Sequence, residues 1–276
     1  MSEGRASCAS LIFKKRLFHT IMYRIRTCIF IIAISITAMF SCHKNMEQHH
    51  ATETDTLAVN DSNALRIAIL PIKECKVLQY AQQSGLARKM GLNMKLIQFE
   101  SLMDIDTSLH SNCAHIYFED SKRIEHYRLD TVKRTKLMSI PTELTLIANK
   151  DKNIKKISDL NAKIVGLTRS SELETWMNNM TDTSLTENQE VYHAQINSIR
   201  LRTDMLNNAL VDAAILPQPW ADSLTAYHGH HILSKCLADG FGFYSADSIL
   251  SDSLLKEQIL LFKKVYVEAL NKLSTD

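Results

Sequence analysis

The period of apolar and polar positions changes repeatedly along this chain. Leu65-Arg66-Ile67-Ala68-Ile69-Leu70 alternates and then meets Pro71, which predicts a first strand running into a loop. Val77, Leu78, Ala81, Leu86 and Ala87 then fall at helical spacing, and Gly91 ends that run. A second strand is predicted over 92–99. After it, Ser101 is placed to cap a helix with Leu102, Ile105 and Leu109 on one face. A third strand follows at 114–118. The second half continues with a strand at 144–149, a helical turn at 154–160 and a buried strand at 164–167. Next come a helix bearing Leu173, Trp176, Met177 and Met180, and a second helix face with Met205, Leu206, Ala209 and Leu210. A strand at 212–216 is then broken off by Pro217 and Pro219. The last element is an amphipathic helix from Leu254 to Leu273, with Leu255, Ile259, Phe262, Val265, Tyr266 and Ala269 on its apolar side. Strands alternating with helices predict an α/β fold built on mostly parallel sheets with right-handed crossovers.

The N-terminal part reads differently. An apolar run of 13 residues, Cys28 to Phe40, follows Arg24 and Arg26 and ends at Ser41-Cys42. It is too short to span a bilayer as a helix but suits the apolar core of a secretory signal. The small Ser41 before Cys42 fits a lipoprotein signal, in which Cys42 is acylated and becomes the new N-terminus. On this reading residues 1–41 are the signal, with Met22 a tidier start than Met1. Residues 42–63 are polar, show no apolar period and serve as a flexible tether. Globular sequence begins at Ala64, leaving roughly 210 residues, enough for two small lobes or one large α/β domain.

Charge and cysteines narrow the chemistry. A formal net charge of +2, part of it in the signal, gives no argument for a nucleic-acid partner. Of six cysteines, Cys75, Cys113 and Cys236 remain outside the signal and lipid site, without CxxC spacing. They read best as small buried hydrophobes, with a Cys113–Cys236 disulfide as the alternative. Tyr227-His228-Gly229-His230-His231 has no acidic ligand pattern beside it and reads as a surface loop joining a helix to a strand, so no metal is expected. Paired carboxylates, a nucleophile elbow, a phosphate loop and HExxH are all missing after Cys42, which argues against an enzyme.

The candidate binding residues follow predicted strands. Thr168, Ser170 and Ser171 stand between a buried strand and a helix start, where free N–H groups and hydroxyls can hold an anion or polar group. The alternative is ordinary serine capping. Lys73 and Cys75 follow the first strand and Ser101 the second, at the strand ends where open α/β sheets bind ligands.

Two segments carry a family resemblance. One is Lys156-Ile157-Ser158-Asp159-Leu160-Asn161-Ala162-Lys163-Ile164-Val165-Gly166, and the other is Ala209 to Ala221, ALVDAAILPQPWA. With the order strand, Pro71, loop, helix, Gly91-Leu92, they resemble the ABC-transporter substrate-binding proteins of the nitrate, sulfonate and thiamine-precursor type. The resemblance runs through nearly all of 64–276. Asn112 and Ala162 stand where members often carry glycine. It implies the type II periplasmic binding protein fold, two α/β lobes joined by hinge strands around a ligand cleft. The expected divisions are 64–143 for the first lobe, 144–217 for the second, and 218–276 for the return with the C-terminal helix. Glu143, just before the inter-lobe strand, is then in reach of the cleft. Trp220 either stacks on a flat ligand or wedges the lobes, the wedge being favoured.

The implied function is that of a monomeric, lipid-anchored binding protein on the periplasmic side of the envelope. It would capture a small polar or anionic molecule without a cofactor and pass it to an ABC permease, Cys42 tying it to the membrane. The alternatives are an enzyme on the same scaffold and a lipoprotein whose cleft no longer binds.

Overall fold

A computed structural model describes residues 63–127 and 132–275. The expected signal, Cys42 and all but the last residue of the expected tether (residues 42–63) lie outside the described residues. The chain first forms β1 (Leu65–Ile69), α1 (Lys73–Gln83), a short α2 (Leu86–Lys89), β2 (Met94–Gln98), α3 (Leu102–Ser108), β3 (Ile116–Asp120), α4 (Ser121–His126) and β4 (Arg134–Ser139). It continues with β5 (Thr142–Ala148), β6 (Ile164–Leu167), α5 (Glu172–Ser184), β7 (Tyr192–Gln195), α6 (Ile199–Asn207), β8 (Ala213–Pro217), α7 (Trp220–His228) and β9 (His231–Ala238). Last come β10 (Phe241–Ala246), α8 (Asp247–Leu250) and the long α9 (Ser253–Thr275).

Two five-stranded sheets result, one per lobe, with orders β2-β1-β3-β10-β4 and β7-β6-β8-β5-β9. Each sheet is mixed. In the first, β2, β1 and β3 run parallel, while β10 is antiparallel to both β3 and β4. In the second, β7, β6 and β8 run parallel, while β5 is antiparallel to both β8 and β9. The parallel strands are those separated by helices, as crossover connections require. The antiparallel strands are the ones that carry the chain between lobes.

The chain crosses twice, at Ile140-Pro141 and at Asp239-Gly240. The crossings lie side by side: the Ile140 N–H donates to the Phe241 carbonyl at 2.9 Å. Gly242 pairs with Ser139 on the first-lobe side and Ala238 with Thr142 on the other. The hinge is therefore a two-stranded antiparallel ribbon passing from one sheet into the other. This places the return later than the sequence reading has it. Residues 218–238 stay in the second lobe because β9 pairs along β5 from Thr142–Ala238 to Ala148–His231.

Local chemistry accounts for other differences. The helix read through Ala87 breaks at Ser84-Gly85, where Gly85 adopts φ 72°, and Gly91 (φ 86°) then ends α2. Ala209 and Leu210 lie beyond α6, Ala209 in a left-handed turn at φ 56°. β10 escapes the alternation rule because all of Phe241–Ala246 is buried, between β3 and β4. Behind it Phe243 meets Phe262 and Tyr266 of α9 edge-on, at ring separations of 5.2 and 5.6 Å. The apolar stripe of α9 thus covers the first sheet, with Ile259, Phe262, Val265, Tyr266 and Ala269 buried.

Candidate ligand-binding site

The C-terminal ends of parallel strands from both sheets converge on one small cavity of about 30 Å³. Leu70 and Ile72 after β1, Thr168 after β6 and Pro217 ending β8 line it, with Phe118 of β3 and Phe241 of β10. This is where open α/β sheets present ligand sites. The second lobe adds Leu173 of α5 and Asn197, Ile199 and Arg202 around the start of α6, and Leu102 of α3 faces them. The volume is about that of one water molecule, so the lobes stand closed and a larger guest enters only when they part.

Arg202 is the ionisable side chain in this lining. It is 2% exposed, on the inward face of α6 with Ile199, Thr203 and Leu206. Its stem passes over Gly166 of β6, where an added Cβ would come within 3.3 Å of Arg202 Cγ. Nη1 donates to Thr168 Oγ1 at 3.1 Å and to the Ile196 carbonyl at 2.6 Å, whereas the buried Nε has no partner. Burial pulls its pKa down to about 10, still well above neutrality. An arginine on an otherwise apolar helix face (Ile199, Arg202, Leu206) is the signal by which sequence reasoning could have found it.

Of the residues expected from sequence, Thr168 alone both lines the cavity and touches Arg202. Ser171 is spent as the cap of α5: Oγ accepts from the Glu174 N–H at 3.4 Å and donates to the Thr168 carbonyl. The Ser170 N–H donates to Glu174 Oε2 at 2.7 Å, so the protein's own carboxylate occupies it. The Glu172 N–H is taken by Asp120 Oδ2 at 2.9 Å, a residue of the other lobe. Ser101 caps α3, accepting from the Asp104 N–H at 3.1 Å and donating to its carboxylate at 2.7 Å. Cys75 is fully buried on α1 and burial pushes its thiol pKa far up, so it is no exposed reactive thiol. Cys113 and Cys236 are also free, and no disulfide joins them.

Lys73, Glu143 and Trp220 gather instead at one lobe-to-lobe seam. The Lys73 N–H donates to the Gln218 carbonyl at 2.8 Å and Trp220 Nε1 to the Pro71 carbonyl at 2.7 Å. Glu143 Oε1 accepts from Lys235 Nζ at 3.0 Å and Gln218 Nε2 at 3.3 Å, and these bonds hold its carboxyl below the ordinary value. Across the cavity a second seam joins α4 to α5. There Arg123 Nη1 donates to the Arg169 carbonyl at 3.0 Å, and Ser121 Oγ donates to Glu172 Oε1 at 3.2 Å.

The histidine run divides. His228 and His231 are exposed, but His230 is buried, accepting the Lys150 N–H at 3.1 Å on Nδ1. Among the described residues no cluster of His, Cys, Asp or Glu is arranged to hold a metal ion. Nor is any described helix long and apolar enough to cross a membrane.

The family model described as NMT1/THI5 like matches residues 75–266, and the chain belongs to that family. No curated protein matches significantly by sequence. Among solved structures, the chain is similar to the alkanesulfonate-binding protein SsuA of Xanthomonas axonopodis pv. citri bound to MOPS. That match has a TM-score of 0.64 and 14% identity, covering 76% of this chain and 74% of that one. The ligand-binding component of an ABC-type import system from Staphylococcus aureus, with zinc bound, also gives 0.64, at 12% identity over 75% and 73% of the two chains. A Candida albicans protein with the generic periplasmic binding protein fold gives 0.54, at 14% identity over 77% and 76%. At these identities the likeness is one of fold, the two-lobe periplasmic binding protein architecture.

Proposed function

We propose that this member of the NMT1/THI5-like family is a lipid-anchored solute-binding protein that captures a small polar or anionic molecule between its lobes and delivers it to an ABC importer. The observation that carries this reading is the cavity at the meeting of the ends of β1, β6 and β8, astride a two-stranded hinge. Capture needs no covalent chemistry: closing the lobes excludes water while a few polar groups orient the guest. One structural neighbour named as an alkanesulfonate-binding protein and another named as the ligand-binding component of an ABC-type import system support the role. Cys42, after its short apolar run, would hold the protein to the envelope on the periplasmic side.

Two measurements test the parts separately. A thermal-shift screen of the full chain against small metabolites should find compounds that raise the melting temperature, because a ligand that binds only the folded form stabilises it. A panel with no hit would count against capture. Intact-mass analysis should find an acylated N-terminus at Cys42 that Cys42→Ala abolishes; an unmodified N-terminus upstream of it would rule the anchor out.

A further inference from the structure

We infer that Arg202 is the charge-selecting group of the cleft, and that the molecule taken is a small organic anion with an apolar body. Its acid group would sit on Arg202 Nε, while the Thr168 hydroxyl and the Ile196 carbonyl hold Nη1. This rests on the capture reading above. The other buried arginines are neutralised inside the protein: Arg123 by Asp106 and Arg134 by Glu119. Arg202 has no such carboxylate among the described residues; a side-chain hydroxyl and a backbone carbonyl are its partners. A buried guanidinium left unpaired is costly, and a guest's acid group is the natural counter-charge.

The surroundings fix the rest of the guest. Thr168 Oγ1 accepts from Arg202 Nη1 and so helps to fix the orientation of the guanidinium. The remaining wall is largely hydrocarbon, with Leu70, Phe118, Leu173 and Phe241 lining the same cavity as Arg202. No carboxylate lines it among the described residues, so a cation finds no counter-charge there and meets the Arg202 charge instead. Gly166 leaves room for the Arg202 stem against β6, since an added Cβ would crowd Ile196 Cδ1 at 3.2 Å and Arg202 Cγ at 3.3 Å. Carboxylate and sulfonate heads share the required chemistry, both presenting anionic oxygens to a guanidinium.

The test uses the full chain in thermal-shift and calorimetric titrations. Straight-chain carboxylates and sulfonates of three to six carbons are compared with the amides and alkylammonium ions of the same lengths. Anions of either head should raise the melting temperature, and the neutral and cationic counterparts should not. Arg202→Met should weaken anion binding by about 10- to 100-fold. Without ligand it should melt no lower than the parent, since it removes an unpaired buried charge. If the Met variant does not fold, Arg202→Lys decides: weakened binding with the anion preference kept supports the assignment. Amides that stabilise as well as anions, or unchanged anion affinity in the Arg202 variant that folds, would overturn it and leave cleft capture standing. No stabilisation by any compound of any charge would overturn both.

Discussion

Asp120, the last residue of β3 in the first lobe, accepts the backbone N–H of Glu172, the first residue of α5 in the second lobe, at 2.9 Å through Oδ2. Its other oxygen caps α4, accepting from the N–H groups of Lys122 and Arg123 at 2.8 and 3.4 Å. One buried carboxylate therefore caps a helix in each lobe, and the bond to Glu172 exists only while the lobes are closed. Asp120→Ala should lower stability by about 2–3 kcal/mol, the scale of hydrogen bonds to a charged group. It should also enlarge the radius of gyration seen by small-angle scattering. A radius and urea midpoint equal to the parent's would show that the latch carries no weight.

The same residue gives a pH signature. Burial raises the Asp120 carboxyl from 3.8 to about 7, outweighing the N–H groups that favour its charged form. The folded state then holds the proton more tightly than the unfolded chain. This contribution to stability is fully present below about 4 and is lost as the pH rises through 7. Glu119 acts in the same sense, and His115 and His230, held low by burial, act in the opposite sense below 6.5. Asp120→Asn should therefore remove one increment from the pH dependence between 4 and 7. Urea midpoints of parent and variant at pH 5 and pH 8 measure it, and parallel curves would refute it.

Trp220 Nε1 of the second lobe donates to the Pro71 carbonyl of the first at 2.7 Å, a bond that a wedge between the lobes would make. Trp220→Phe keeps a ring and loses one hydrogen bond, for an expected cost of about 0.5–1.5 kcal/mol. Affinity should fall by no more than this loss of closure explains. A large loss of binding with an unchanged melt would mean that the ring touches the guest.

Ser171→Ala should lower stability by about 1 kcal/mol through loss of the α5 cap and spare affinity. Calorimetry beside a denaturant melt separates the two effects. The reverse pattern would restore the serine to the binding surface.

Ala162 adopts φ 58°, a left-handed conformation that L side chains with a Cβ rarely hold. Ala162→Gly should raise the unfolding free energy by up to about 1 kcal/mol, seen as a higher denaturant midpoint, the relieved strain exceeding the extra chain entropy of glycine. A lowered midpoint would show the turn to be unstrained.

Most of the architecture was legible in the order of residues. Alternation in Leu65–Ile69 and the apolar runs at Ile164–Leu167 and Ala213–Pro217 mark parallel strands. Leu255 to Leu273 marks the long helix, and the segments 156–166 and 209–221 point to the family. These are local properties, since hydrophobic period and turn chemistry act within a few residues. The hinge was not legible. β10 is buried on both faces and so loses the alternation that announces a strand, and β9 is kept in the second lobe by pairing with β5, about 90 residues earlier in the chain. The site was legible only in part. Thr168 follows from its place after a strand, but whether a serine caps a helix or binds a guest depends on which N–H groups are already filled. Asp120, 52 residues away from Glu172, fills one of them. Arg202 has a sequence signal only in its place on the inward helix face, and it is folding that strips its water and brings no carboxylate to replace it. Sequence sets what each segment can form; burial and long-range pairing decide which polar groups remain free to bind.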